Sequence, residues 1–202
     1  MLQTHTVIPD LLELLKKIMS EKLFSDFYLV GGTSLSLQMG HRNSIDIDLF
    51  GNSEINFDLF IKKLSEYGEV KVAQSTKNIL ITKINDVKVD FVNYKYPLLT
   101  DCLYTDNIRM LSTKDIAAMK LNAIAGRGSK KDFIDLYFLL NEFSLRDILS
   151  FYEEKFSDGS VFMVQKSLTY FEDADIQLQP KMFLDFNWET CKQKIIEEVL
   201  KL

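Results

Sequence analysis

The segment from Ser44 to Phe50, SIDIDLF, alternates between polar and apolar side chains as far as Leu49. A period of two is typical of a β-strand that buries one face. Asp46 and Asp48 share the opposite face, where two carboxylates repel each other unless a cation lies between them. The segment therefore predicts a sheet with one apolar face and a pair of acidic groups on the other.

A Gly-Gly pair at a predicted strand-to-helix turn precedes this strand. Phe27 to Val30 is an apolar run that predicts a buried strand, and Gly31-Gly32 follows it directly. Thr33 to Met39 contains no helix breaker and predicts a short helix, which Gly40 can end. Glycines let backbone N–H groups approach phosphate oxygens closely, and a helix N-terminus favours negative charge.

Thirteen residues separate Gly32 from Asp46, and the two features together indicate a site for phosphoryl transfer. Magnesium binds carboxylate oxygens and commonly shares its coordination shell with substrate phosphates. The paired aspartates therefore favour magnesium, or manganese in its place, in a two-metal clamp on the transferred group. The alternative interpretation is an ordinary glycine turn beside a solvated strand face.

A third carboxylate lies on a predicted hairpin farther along the chain. Asn78 to Ile84 and Val87 to Tyr94 predict strands, and Asn85-Asp86 predicts a two-residue turn between them. Lys88 and Asp90 share one face of the second strand. Asp90 could complete the metal site or take the proton from an attacking hydroxyl, whereas a lone aspartate on a strand is more often simply exposed.

Helical periodicity dominates the remainder of the chain. The predicted helices cover Pro9 to Glu21, Phe57 to Tyr67, Ser112 to about Ala125, Ser129 to Leu140, Leu145 to Lys155, Ser160 to Phe171 and Trp188 to Leu202, with a polar connection over Asp173 to Pro180. We therefore expect an α/β (α+β) fold, with a mixed sheet in residues 1–110 and a helical region in residues 111–202.

Two of these helices carry charged faces. Lys120, Ile124 and Arg127 fall on one face at i, i+4 and i+7, and Lys131 and Asp135 share a face of the next helix. Cations placed in this way could neutralise the charge of a triphosphate. The alternative is a solvated pair of helices held by salt bridges.

Net charge, cysteine spacing and hydropathy argue against several classes of protein. The formal net charge of −5 argues weakly against a protein that coats nucleic acid through bulk electrostatics. Cys102 and Cys191 are far apart and lack metal-ligand spacing, which favours two free thiols in a reducing compartment. The sequence shows neither a membrane-spanning run nor a secretory signal, so we expect a cytoplasmic protein without membrane partners.

Two longer strings carry a family resemblance. Hydrophobic-Gly-Gly followed by Asp-hydrophobic-Asp resembles the DNA polymerase β-like nucleotidyltransferase superfamily. The string GGTSLSLQMGHRNSIDIDLF, together with KLNAIAGRGSKKDFIDLYFLL, is similar to the AbiEii/AbiGii family, the toxins of type IV toxin–antitoxin systems. The resemblance covers about residues 28 to 140. It implies a polymerase β-like core whose active-site cleft is closed by a C-terminal helical bundle.

The resemblance also implies roles for individual residues. The implied catalytic residues are Asp46, Asp48, Asp90 and Lys120, of which the three aspartates would hold the metal. The implied nucleotide-binding residues are Gly31, Gly32, Thr33, Ser34, Arg127, Lys131, Asp132 and Asp135. Thr33 and Ser34 would supply the hydroxyl that many superfamily members take from a Gly-Ser motif.

The activity implied by the resemblance is the transfer of a nucleoside monophosphate from an NTP to an acceptor hydroxyl. Some members of the family modify the acceptor end of tRNA and so block translation, which makes tRNA the expected acceptor and a cognate antitoxin a possible partner. Two other functions stay open: transfer to a small-molecule or protein hydroxyl, and nucleotide binding without turnover. Retention of all three carboxylates speaks against the last.

Overall fold

The computed structural model describes every residue from Met1 to Leu202. The chain forms two compact units. The first unit comprises residues 1–95 and 102–111, and the second comprises residues 96–101 and 112–202. No helix is both long enough and apolar enough to cross a membrane.

The first unit is built on a seven-stranded mixed sheet with the order β3-β4-β5-β2-β1-β7-β6. Its strands are β1 (Phe27–Leu29), β2 (Asp46–Gly51), β3 (Val70–Ser75), β4 (Ile79–Ile84), β5 (Val87–Asn93), β6 (Leu103–Thr105) and β7 (Ile108–Met110), and its helices are α1 (Pro9–Ser20), α2 (Gly31–Met39) and α3 (Phe57–Leu64). The β2–β5 and β1–β7 pairs are parallel, and every other pair is antiparallel.

One face of this sheet carries the core of the unit. Ile47 and Leu49 of β2 are fully buried, as the period of two predicts. Four aromatic rings form the centre of the core, with neighbouring centroids 5.0 to 5.7 Å apart: Phe24, Phe27, Phe60 and Phe91. The apolar residues of α1 and α3 cover the same cluster. The carboxylates of β2 are therefore left on the opposite face.

The mixed sheet and the α/β class are confirmed, and the Asn85-Asp86 turn is present with φ values of 44° and 71°. Both angles are positive, as a tight hairpin turn of this length requires. Three strands of the sheet, β3, β6 and β7, were not predicted from the sequence. β3 is an edge strand whose residues are nearly all exposed, so it has no apolar alternation to detect. β6 and β7 contain only three residues each, which is too few to establish a period.

The second unit is entirely helical. It contains α4 (Thr113–Gly126), α5 (Lys130–Leu139), α6 (Leu145–Lys155), α7 (Val161–Ser167), α8 (Glu172–Asp175) and α9 (Trp188–Leu200). α4 packs against α5, α6 and α7, while α5 also packs against α8 and α9. α7 ends four residues earlier than predicted, and the predicted polar connection begins with the single turn of α8.

A buried ion pair between α4 and α6 attaches residues 96–101 to the helices of the second unit. Lys155 Nζ lies 2.7 Å from Asp115 Oδ1 and donates to the Pro97 carbonyl at 2.6 Å. The Leu99 N–H also donates to Asp115 Oδ1, at 3.0 Å. These bonds explain why six residues that precede the last two strands belong to the helical unit rather than to the sheet.

Candidate active site

The acidic residues predicted from the sequence lie on one face of two adjacent strands. In the parallel β2–β5 pair, Asp48 is in register with Asp90, and Asp46 is in register with Lys88. Residues in register on neighbouring strands are about 4.8 Å apart and point to the same side of a sheet. The three carboxylates and one ammonium therefore form a compact two-by-two patch.

Lys88 is part of this patch and was not assigned a role from the sequence. Its Nζ lies 2.5 Å from Asp90 Oδ2. Burial alone would lower the pKa of Lys88, but the hydrogen bond to Asp90 and the charges of Asp90, Asp48 and Asp46 outweigh it and raise the pKa above its usual value. The ammonium therefore stays charged among the three carboxylates.

The glycine turn is fastened to β2 at both acidic positions. The Val30 N–H donates to the Asp48 carbonyl at 2.9 Å, and the Thr33 hydroxyl makes a short hydrogen bond to the Asp46 carbonyl. Thr33 Oγ1 is also 2.8 Å from Ser44 Oγ, and its side chain is fully buried. The start of α2 is thus held at a fixed distance from the carboxylate pair.

A side chain at either glycine of the turn would collide with the side chain of a neighbouring residue. Gly31 has φ of +67°, and a Cβ at this position would stand 2.6 Å from Asp48 Oδ2. Gly32 faces the guanidinium of Arg42, which a Cβ would overlap. Arg42 is almost completely buried and donates to the Asn43 carbonyl at 2.9 Å. A carboxylate therefore lies directly under the first glycine and a guanidinium under the second.

The carboxylate patch fits a divalent cation in its donor chemistry. Three carboxylates offer the hard oxygen ligands that magnesium prefers, and an ammonium already sits among them as a stand-in cation. Asp90 Oδ1 is buried and has no hydrogen-bond partner. A buried carboxylate oxygen without a partner is costly unless a cation or donor arrives. The fit is one of donor chemistry only, because no group of three or more His, Cys, Asp or Glu side chains is arranged around a single metal position.

A cavity of about 420 Å³ opens beside the patch, within the sheet unit. Asp46 and Lys88 form part of its wall, and the apolar side chains of Ile45, Ile81 and Val87 form another part. Cavities with apolar walls and a few charged groups at one side are typical of sites that bind small organic groups. Room for a substrate therefore exists next to the first carboxylate of the pair.

Most of the helical residues predicted to act on the nucleotide form one ion network. Lys120 Nζ lies 3.0 Å from Asp132 Oδ1 and 2.7 Å from Asp135 Oδ2. Asp132 also accepts two hydrogen bonds from the guanidinium of Arg127 and one from Ser129 Oγ. Burial would raise the pKa of Asp132, but Lys120, Arg127 and Ser129 together hold it well below its usual range.

The members of this ion network differ in how much of each side chain is exposed to solvent. Asp132 and Asp135 are fully buried and Lys120 is nearly so, whereas 68% of the Arg127 side chain is exposed. Lys131 is exposed and does not belong to the network; Asp135, on the same helix, pairs with Lys120 instead. Of the cations predicted to act on the nucleotide, Arg127 and Lys131 are exposed, whereas Lys120 is buried.

The structure adds three observations to the site residues predicted from the sequence. Ser34 is fully buried and accepts from Gln38 Nε2 at 3.0 Å, so it serves the interior of α2. Arg42 was missed because nothing in the sequence places it beside the turn. Lys88 could have been found, since alternation along β5 already put it on the face of Asp90.

Comparison with known sequences decides the family. Residues 13–198 match the family described as the nucleotidyl transferase AbiEii toxin of type IV TA systems. The chain belongs to this family. AbiEii membership confirms the resemblance seen in the glycine and aspartate motifs, and it makes the protein a nucleotidyltransferase. An NTP substrate and an antitoxin partner follow from the same membership.

A relative of this AbiEii protein occurs in Aquifex aeolicus (strain VF5), where it is described as an uncharacterized protein. The two chains are 38% identical over 168 residues, which cover 80% of this chain and 82% of the relative. This likeness extends across both units.

Solved structures of low sequence identity share the fold. JHP933 from Helicobacter pylori matches with a TM-score of 0.61 and 16% identity, over 95% of this chain and 88% of that one. MenT4, a nucleotidyltransferase toxin from Mycobacterium tuberculosis, matches at 0.59 and 14%, over 96% and 83%. ANT(2″)-Ia in complex with adenylyl-2″-tobramycin matches at 0.52 and 14%, over 70% and 94%. The polymerase β-like nucleotidyltransferase fold is thereby confirmed.

Proposed function

We propose that this AbiEii protein moves a nucleoside monophosphate from an NTP to a hydroxyl of tRNA, with a divalent metal held by Asp46, Asp48 and Asp90. The observation that carries the proposal is the register of Asp48 with Asp90, beside a turn whose first glycine touches Asp48. Carboxylates clustered beside a glycine turn at a helix N-terminus are groups that phosphoryl transfer uses, which supports this assignment.

The reaction is a displacement at the α-phosphorus of the NTP. The acceptor oxygen forms a bond to the α-phosphorus of the NTP, the bond from that phosphorus to the bridging oxygen breaks, and pyrophosphate leaves. The hydroxyl proton passes to Asp90 Oδ1, the buried oxygen that has no hydrogen-bond partner. When bound, magnesium would neutralise charge on the phosphates and on the leaving group. The N–H groups at Gly31 and Gly32 would orient the phosphates.

The helical unit contributes cations in this proposal. Arg127 and Lys131 are exposed and can bind phosphate or RNA backbone. Lys120 is held by two carboxylates, so it acts together with Asp132 and Asp135 to fix the guanidinium of Arg127. Thr33 and Ser34 act in a similar way on the phosphate side, because their buried hydroxyls hold the turn and α2 in place.

A small-molecule acceptor is the second candidate. The fold is shared with ANT(2″)-Ia, whose complex contains an adenylylated tobramycin. The net charge of −5 is unfavourable for binding RNA through bulk electrostatics. The cavity beside Asp46 is also of a size that accepts a small organic group. A transfer assay must therefore offer both kinds of acceptor.

The test is to incubate the pure protein with each α-³²P-labelled NTP, magnesium and either bacterial tRNA or an aminoglycoside. Asp46→Ala removes one proposed ligand, and Glu54→Gln is the matched control, since Glu54 is an exposed acid on the loop after β2. We expect label on tRNA from one NTP with the wild type and with Glu54→Gln, and none with Asp46→Ala.

The outcomes separate the candidates. Label on the aminoglycoside alone would replace tRNA by a small-molecule acceptor while keeping the carboxylate assignment. Equal labelling by the wild type and by Asp46→Ala would overturn the metal site. Nucleotide binding without transfer to any acceptor would favour a binding module, or a form that requires its antitoxin.

A further inference from the structure

Lys88 occupies the position of a cation in the proposed metal site. It is in register with Asp46 and lies two residues before Asp90 on the same face of β5. Its ammonium is 2.5 Å from Asp90 Oδ2, and Asp48 is the direct neighbour of Asp90 on β2. A single positive charge therefore stands among three carboxylates that would otherwise repel one another.

A divalent cation bound to Asp90 would lie close to the Lys88 ammonium, so the two charges would compete for this carboxylate. Asp90 Oδ2 is engaged by Lys88, and two cations bound to one carboxylate repel each other strongly where solvent is partly excluded. Asp90 has a side chain only 13% exposed, so it cannot turn away to a solvated position. Lys88 can, because its side chain is 46% exposed and has a flexible four-carbon stem.

We propose that Lys88 is the resident counter-cation of the acidic site: it neutralises Asp46, Asp48 and Asp90 in the metal-free protein, and divalent metal must displace it to bind. The inference rests on the proposed metal site. It makes binding of metal alone weak, because each metal ion exchanges with a cation that is already paired. The phosphates of an NTP would give the displaced ammonium a new anionic partner, so metal and nucleotide bind more favourably together than separately.

The chain offers a closely matched control. Lys83 lies on β4 and is directly in register with Lys88 across the β4–β5 ladder. Its side chain is 50% exposed, and it pairs with Asp86 of the hairpin turn at 2.7 Å. Loss of its charge alters the same region of the sheet without touching the three carboxylates.

The experiment measures the binding of Mn²⁺ alone, without nucleotide, from the electron paramagnetic resonance signal of the free ion. Lys88→Met should bind Mn²⁺ about tenfold more tightly than the wild type or more, because the competing charge is gone. Lys83→Met should stay within about twofold of the wild type, since its distance from the site is greater. Lys88→Arg keeps the competing charge and should bind no more tightly than the wild type.

A second measurement covers the folding of the variants. Without metal, Lys88→Met should have a lower Tm than the wild type because its carboxylates repel, and saturating Mn²⁺ should raise its Tm by more than it raises that of the wild type. Unchanged Mn²⁺ affinity and an unchanged response of Tm in Lys88→Met would overturn the role of Lys88. If Asp48→Asn then abolished Mn²⁺ binding, the metal site itself would stand. Absence of Mn²⁺ binding in every protein would overturn both.

Discussion

Gly31 and Asp48 are in direct contact: a Cβ added at the glycine would stand 2.6 Å from the carboxylate Oδ2. The glycine also has φ of +67°, a conformation that L-residues with side chains rarely adopt. The phosphate turn and the metal-binding strand of the proposed site therefore meet at one point. Any side chain at Gly31 must displace either the turn or the carboxylate.

Gly31→Ala should reduce nucleotide transfer on the order of a hundredfold, because a shift of about 1 Å in a reacting group has effects of that size. It should also lower the free energy of unfolding by about 1 kcal/mol or more, from the positive φ alone. Gly126→Ala is the control, since a Cβ there meets nothing within 4 Å. Initial rates and urea unfolding measure both effects, and a normal rate in Gly31→Ala would contradict the contact.

Thr33→Val should destabilise the sheet unit by about 1–3 kcal/mol, because it leaves the Asp46 carbonyl without its hydroxyl donor in a buried position. The shape of the side chain is nearly unchanged, so the loss reports the hydrogen bond rather than packing. Thr169→Val, on an exposed surface, should remain within about 0.5 kcal/mol of the wild type. Chemical denaturation of the three proteins provides the comparison.

Lys120→Met should lower the free energy of unfolding by about 3–5 kcal/mol, because it leaves Asp132 and Asp135 as buried carboxylates without their shared ammonium. Lys131→Met removes an exposed lysine from the next helix and should change stability by no more than about 0.5 kcal/mol. Equal stability of the two variants would show that the buried network contributes little.

Acid should destabilise the helical unit through Asp132. Its pKa is lowered in the folded protein, so its contribution to stability is present above the unfolded value near about 4 and is lost as the pH falls toward the folded value. The free energy of unfolding should therefore decline below about pH 4. Asp132→Asn should show a shallower decline over the same window, measured by urea unfolding at a series of pH values.

The two cysteines should differ in reactivity. Cys191 is fully buried, its thiol lies 3.7 Å from the Phe133 carbonyl, and burial raises its pKa to about 12. Cys102 is half-buried, and neither residue forms a disulfide. At about pH 8, a thiol reagent should label one cysteine in the native protein and the second only after denaturation, because the thiolate is the reactive form. Labelling in Cys102→Ser should then be slow.

Short-range chemistry explains what the sequence predicted correctly. Alternation along Ser44 to Phe50 and Val87 to Tyr94 predicted two strands with their acidic residues on one face, since the period of a strand is fixed by its backbone. The Gly-Gly turn followed by a helix was predicted in the same way. The parallel pairing of β2 with β5 was not, because register between strands far apart in the chain is set by packing rather than by local pattern.

The sequence by itself determined the family and the α/β fold class, and it predicted Asp46, Asp48 and Asp90 as the acidic residues of the proposed site. Tertiary structure alone decided that Lys88 stands among these acids, that Arg42 lies beneath Gly32, and that Lys120 is buried between Asp132 and Asp135. The physical reason is that the sequence shows which charged groups are available to form ion pairs. Strand register and helix packing then decide which of these groups lie close enough to pair.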